Sequence, residues 1–376
     1  GTMVLPFLSK YLREDLDFSY NQVKWILISF GLGSIVGSWL GGKLSDKIGF
    51  YKIMIFSLLT SGIAFFGLQF VTSFEGLLVA MFFIMVVADM FRPAMFVSLG
   101  AYAKPENRTR ALTLVRLAIN LGFAAGPALG GLLIMTVGYK GLFWVDGATC
   151  ILAILIFWIK VKEKKKSKYT DKEHPGEILT NSVFKDRPFW IFLGATLITG
   201  ILFFQLFTTI PLYHKEQFNL SELQTGLLLT LNGVLIFFLE MPIVSYIERH
   251  KINKLKVITL GCLAMAISMY LLLVNQWAGI LIIMMLFMTF GEMFVFPFSN
   301  SFAMSRAPKG HEGRYMAIFT MSYSTAHILS AEAGMDMIRL FSYQNNWFFM
   351  GTLGIIGVLL FIWTMKLVKY EPPRNL

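Results

Sequence analysis

A few ionisable and amide side chains stand inside otherwise apolar stretches of this 376-residue chain: Asp89, Arg92, Arg116, Asn120, Gln205, Glu240, Glu292, His327 and Glu332. Burying a charge is costly, so residues of this kind face a cavity or a partner and mark places where work is done. Asp89 and Arg92 are three apart, the helical spacing at which opposite charges meet, and Asn120 follows Arg116 by one turn on the same face. Together Asp89, Arg92 and Arg116 read as a buried cluster with excess positive charge, which a substrate carboxylate would balance. Glu292 has no cation beside it in the sequence. A carboxyl group taken out of water keeps its proton closer to neutral pH, as a proton carrier must. Glu292 and Asp89 are therefore the expected proton-coupling residues, and Arg92, Arg116, Asn120, Gln205, Glu292 and His327 the expected substrate contacts.

Other chemistry is poorly served. The five His are scattered, and no nucleophile, base and metal ligands cluster as an enzyme would need. No Gly-x4-Gly-Lys-Ser/Thr loop is present to cradle a nucleotide. Cys150 and Cys262 lie inside apolar stretches and imply no disulfide framework. The chain reads as a non-enzyme with no cofactor and no metal site.

The elements that must position these residues are membrane helices. With 56% hydrophobic residues and a mean hydropathy of +0.64, the chain is far too apolar for a soluble fold of its length. Stretches of spanning length run over 21–42, 52–71, 74–101, 110–137, 141–161, 188–213, 221–247, 255–274, 277–304, 313–341 and 347–367. Gly1–Leu12, with Pro6 and Phe7, reads as the outer end of a further span, a truncated first helix whose restoration makes twelve with both termini cytoplasmic. The net charge of +11 is distributed by topology: most of the 33 Lys and Arg fall in alternate loops and the C-terminal tail. That pattern fits lipid headgroups on the cytoplasmic side rather than nucleic acid. A multi-pass protein of the plasma membrane, there the bacterial inner membrane, with its C-terminus in the cytoplasm is expected.

The chain also repeats. Ala103-Lys104-Pro105 leading to Arg110 returns as Ala307-Pro308-Lys309 leading to Arg314, and Pro93 returns as Pro297, an offset of about 204 residues. Between the halves, 162–187 is dense in Lys and Arg and reads as a cytoplasmic linker. The expected organisation is a helical bundle over 1–161, the linker, and a second bundle over 188–376.

Gly42-Lys43-Leu44-Ser45-Asp46-Lys47-Ile48-Gly49 resembles the loop signature of the major facilitator superfamily and stands where that family has it. Gly42 would let two helices approach. Asp46 would accept hydrogen bonds at a neighbouring helix N-terminus, while Lys47 and Lys52 stay at the headgroups. Phe50 departs from the family's usual basic residue. Gly33, Gly37 and Gly41 read as packing alone. Gly122-Phe123-Ala124-Ala125-Gly126-Pro127-Ala128-Leu129-Gly130-Gly131 resembles the antiporter motif of the drug/proton antiporter branch: glycines four apart allow close helix contact and Pro127 permits a bend. Phe91-Arg92-Pro93, Ile119-Asn120-Leu121-Gly122 and Gly291-Glu292-Met293-Phe294 with Pro297 are also similar to the proton-dependent oligopeptide transporters.

The resemblance implies an all-α membrane protein of the major facilitator fold, two six-helix bundles related by a pseudo-two-fold, acting as a monomer by alternating access. It implies a proton-coupled secondary transporter of small molecules, with Gly42, Asp46, Lys47, Gly126 and Pro127 as gating residues. Export of amphipathic, drug-like compounds in exchange for protons is the first reading, with Phe203, Phe204, Phe207, Phe294 and Phe296 suited to an adaptable apolar pocket. Proton-coupled import of di- or tripeptides is the second, with Arg92 and Glu292 in the binding roles. A non-transporting receptor or scaffold is a third.

Overall fold

The computed structural model describes residues 3–102, 108–163, 183–274, 276–306 and 312–369, and every regular element among them is helical. An irregular helical run, Leu5–Phe7, Leu8–Lys10 and Tyr11–Asp15, leads into α1 (Tyr20–Ile48), α2 (Phe50–Leu68), α3 (Phe74–Asp89), α4 (Phe91–Tyr102), α5 (Arg108–Val137) and α6 (Tyr139–Lys160). After a single turn at Val183–Lys185 come α7 (Arg187–Thr208), α8 (Ile210–Phe218), α9 (Glu222–Arg249), α10 (Lys254–Leu271), α11 (Ile280–Arg306), α12 (Glu312–Leu340) and α13 (Tyr343–Lys369).

Local sequence explains the starts and stops. Ser19 and Gln22 form a reciprocal capping box at the start of α1, and the side chains of Ser73, Asp186 and Asn253 accept from first-turn amides of α3, α7 and α10. Gly49 ends α1 at φ 97° and Gly138 separates α5 from α6 at φ 83°, conformations that residues with a Cβ rarely adopt.

Two expected single spans are broken, each just before a proline. The stretch 74–101 divides at Met90, because Pro93 has no N–H to give the carbonyl of Asp89. The stretch 188–213 divides at Thr209, two residues before Pro211. Ten helices among the described residues are long and apolar enough to cross a membrane. α12, with 29 residues, is as long but carries Glu332, Asp336 and Arg339, and is not among the ten. Large apolar side chains lie on the outside, Phe83, Leu152, Phe238 and Leu359 among them, where a water-soluble protein would set polar ones. The chain is a multi-pass membrane protein.

The chain forms two compact units, Gly1–Lys172 with Leu220–Thr230, and Glu173–Asn219 with Leu231–Leu376. The first turns of α9 thus belong with the first unit. Of the expected linker, 164–182 lies outside the described residues.

Helices in a bilayer gain little from expelling water, so close backbone approach and side-chain interlocking hold them. In the first unit, Gly33, Gly37 and Gly41 press α1 against α3. A Cβ at Gly41 would stand 2.6 Å from the Cα and carbonyl oxygen of Met90. Gly42 corrects an expectation: its missing Cβ points into open space, and Gly41 makes the close approach instead. Gly62 and Gly147 play the same part between α2 and α6. In the second unit Gly261 and Gly291 bring α10 against α11, and Phe189, Phe192, Phe298, Phe302, Phe319 and Phe361 interlock in a core.

Candidate functional site

The second unit holds a buried carboxylate with a defined polar partner. Gly291 lets α11 lie hard against α10, where an added Cβ would come within 2.9 Å of the Gly261 carbonyl oxygen. The next residue, Glu292, is 4% exposed, and its Oε1 accepts from Nδ2 of Asn232 on α9 at 2.8 Å. The same Nδ2 donates to Thr289 Oγ1 at 2.9 Å, and Thr289 passes its own hydrogen to the Met285 carbonyl at 2.7 Å. Among the described residues the carboxylate of Glu292 therefore meets an amide, not a cation. A carboxylate so deprived of water needs a proton, a cation or several donors to offset the loss of hydration, and one amide supplies only part of that. Glu240, also buried, lies about two turns further along α9.

Asp89 closes α3, where the hydroxyl of Ser34 on α1 donates to its Oδ2. Arg92 approaches it only at 4.0 Å, with its side chain 67% exposed against 14% for Asp89. The break at Met90 puts Asp89 and Arg92 on successive helices. Asn120 is half-buried on α5. The side chain of Arg116 lies outside the described residues, as does that of Asp46. Lys47 is exposed at the end of α1.

Gln205 is fully buried and fully engaged. Its Nε2 donates to the carbonyl and hydroxyl oxygens of Ser330 at 3.1 and 2.8 Å, and Thr209 donates to its Oε1. It ties α7 to α12, beside Gly334, where a Cβ would crowd its amide at 2.9 Å. His327, buried on the same α12, stands edge-on to Phe204 with ring centres 4.7 Å apart. Phe203 meets Phe204, Phe207 and Phe296 edge-on, and Phe296 continues to Tyr323. Phe294 does not join them: it pairs with Phe290 and packs over Gly261.

Gly126 and Pro127 are buried in α5, which runs on through the proline. Ala128 N–H donates to Thr230 Oγ1 at 3.2 Å, Gly226 packs on the Pro127 carbonyl, and Gly131 packs on Glu222 and Leu223. Lys10, whose side chain has no exposure, holds Glu222 at 3.0 Å.

Several of these partners escape a reading of the sequence. Asn232, Thr289 and Ser34 are common polar residues in long helices, and only the helix pairing gives them significance. Lys10 lies in a stretch too short to read as a span. Arg306 forks onto Asp186, with Nη2–Oδ1 at 2.6 Å and Nε–Oδ2 at 3.0 Å, and Tyr315 donates to the same carboxylate at 3.0 Å. The signal for Asp186 was present, since an Asp directly before Arg187-Pro188 marks a helix start.

Comparison with known proteins places these elements. Residues 1–331 match the family described as the Major Facilitator Superfamily. A Na(+), Li(+), K(+)/H(+) antiporter of Planococcus maritimus is 23% identical over 100% of this chain and 94% of its own length. The quinolone resistance protein NorA of Staphylococcus aureus is 25% identical over 62% of this chain and 59% of its own. Among solved structures, a POT family transporter in complex with 5-aminolevulinic acid superposes with a TM-score of 0.77 at 16% identity, covering 97% of this chain and 92% of that one. The nucleoside transporter NupG, in a mutant form, gives 0.77 at 12%, covering 96% and 95%. At such identities the structures speak for the fold alone.

Proposed function

Since the chain belongs to the Major Facilitator Superfamily and is a multi-pass membrane transporter of small molecules, we propose that it exports amphipathic, cationic or lipophilic compounds in exchange for protons, with Glu292 as the proton carrier. The observation that carries this reading is the burial of Glu292 against the single amide of Asn232. A carboxylate held that way is costly to leave charged and empty, so loading and unloading it is a natural partner for a change of access. The aromatic group of Phe203, Phe204, Phe207 and Phe296 supplies an adaptable apolar wall in the same unit. Relatives named as a cation/proton antiporter and as a quinolone resistance protein agree with exchange and with export.

The bundles over 1–161 and 188–376 are the proposed moving parts, with 162–187 as their cytoplasmic linker. The protein works as a monomer in the bacterial inner membrane with its C-terminus in the cytoplasm. Asp89 is the proposed counterpart of Glu292 in the first half. Import of di- or tripeptides is the second reading; it draws on the spacing of Arg92, Pro93 and Glu292. Reconstitution into liposomes tests the choice. An imposed pH gradient should drive uptake of a lipophilic cation such as tetraphenylphosphonium against the proton flow. Accumulation of a dipeptide along with the proton flow, and none of the cation, would favour the second reading.

A further inference from the structure

We infer that a cavity at the membrane-surface end of the second unit binds the headgroup of an anionic phospholipid, with Lys251 and Lys254 as the cations that hold its phosphate. The cavity measures about 560 Å3, a size that suits a small-molecule site. Helices α9 and α11 end at it, α10 begins at it, and Val368 near the end of α13 closes one side. Four spans thus meet the headgroup layer there, on the face proposed as cytoplasmic.

Local sequence builds the basic rim. α9 stops in a Schellman turn, in which Lys251 N–H donates to the Glu248 carbonyl and Ile252 N–H to the Ile247 carbonyl, both at 3.1 Å. Lys251 takes the left-handed position of that turn, φ 51°, where glycine is the usual residue. The chain holds a cation there at a cost in backbone energy. Asn253 then caps α10, and Lys254 follows, its Nζ donating to Ser301 Oγ on α11 at 2.6 Å. A hydroxyl takes one of the three ammonium hydrogens and none of the charge. Among the described residues, no ion pair joins Lys251 or Lys254 to a carboxylate. Glu248 is the one acid in the lining. Against it stand these two cations, with Arg249 and Lys256 adjoining them in the sequence and Lys366 and Lys369 in the last turn of α13.

The rest of the lining selects the source of the phosphate. Ile247, Leu255, Phe298 and Phe302 belong to the buried core of the unit and give the cavity an apolar wall, while Lys251 is exposed. A free phosphate ion gains nothing from such a wall. A glycerophospholipid does, because its phosphate pairs with the lysines while its glycerol and first methylenes cover the apolar side chains. Basic pockets between membrane helices on the cytoplasmic side hold anionic headgroups in this way. A zwitterionic lipid brings its own cation, which cancels much of the attraction.

Native mass spectrometry of the purified full chain in detergent, titrated with phosphatidylglycerol and with phosphatidylcholine of the same acyl chains, tests the site. Saturable retention of phosphatidylglycerol over phosphatidylcholine is expected. Lys251→Gly combined with Lys254→Gln should weaken that retention by about tenfold or more, since two cations at the surface are removed. Lys251→Gly also relieves the left-handed backbone, so the loss is one of charge and not of fold, which a melting curve checks. Lys140→Gln with Lys160→Gln, the same charge change at the two ends of α6, should leave retention unchanged. Val368→Trp, which fills the cavity and alters no charge, should weaken it. Equal retention of the two lipids by the wild type, equal losses in the cavity pair and the α6 pair, or full retention by Val368→Trp overturns the site. Displacement of the lipid by excess inorganic phosphate overturns the lipid assignment and gives the same lysines to a soluble phosphate.

Discussion

Asn232 reaches from α9 to donate to Glu292 on α11 at 2.8 Å, and that one bond joins a buried carboxylate to a neighbouring helix of its own unit. Losing it strands a buried acceptor, which costs about 1–3 kcal/mol. Asn232→Leu should therefore lower the melting temperature in detergent and slow gradient-driven transport by about tenfold or more. Asn232→Gln, which keeps the amide, should do less on both counts. Equal effects of the two substitutions would show that the amide is not what matters.

Gly41 and Gly42 make a contrast of neighbours. A Cβ at Gly41 would meet the Met90 backbone at 2.6 Å, whereas one at Gly42 meets nothing within 4 Å. Gly41→Ala should cost about 1–3 kcal/mol of stability through overpacking, and Gly42→Ala close to none. Thermal unfolding of the two variants side by side checks this.

Arg306 and Asp186 are both buried, and their fork is joined by Tyr315. Removing one partner of such a pair costs about 3–5 kcal/mol, because the other charge stays buried alone. Arg306→Ala should be recovered poorly folded, and Arg306→Met paired with Asp186→Asn should be recovered better than Arg306→Ala. Size-exclusion profiles and melting curves report the difference.

Arg92 divides the two substrate readings. In the peptide reading Arg92→Ala loses most binding of a free-acid dipeptide and little of its amidated analogue. In the export reading it leaves dipeptide binding absent throughout and alters efflux of cationic compounds, since Arg92 stands 4.0 Å from Asp89. Binding measurements with the two peptides and efflux with one cation decide it.

The spans, the family and the packing role of Gly33, Gly37 and Gly41 were legible in the sequence because apolar length and glycine spacing are local signals. Glu292 stood out for the same reason, as an acid in an apolar run. Its partner did not. Asn232 lies far away in the chain, and only the pairing of α9 with α11 gives its amide a meaning. Gln205 is a conspicuous amide in a span, but its partners Ser330 and Thr209 were no more legible than Asn232. The breaks at Met90 and Thr209 follow from Pro93 and Pro211, but hydropathy passes over a single missing hydrogen bond. Arg92 follows the break at Met90, with its side chain exposed.

Glu292→Gln, measured in liposomes, tests the central claim most directly. The amide keeps the size and can still bond Asn232, but it cannot exchange a proton. Transport driven by a pH gradient should fall to background while exchange of labelled for unlabelled substrate persists. Gradient-driven transport at the wild-type rate in this variant would contradict the account.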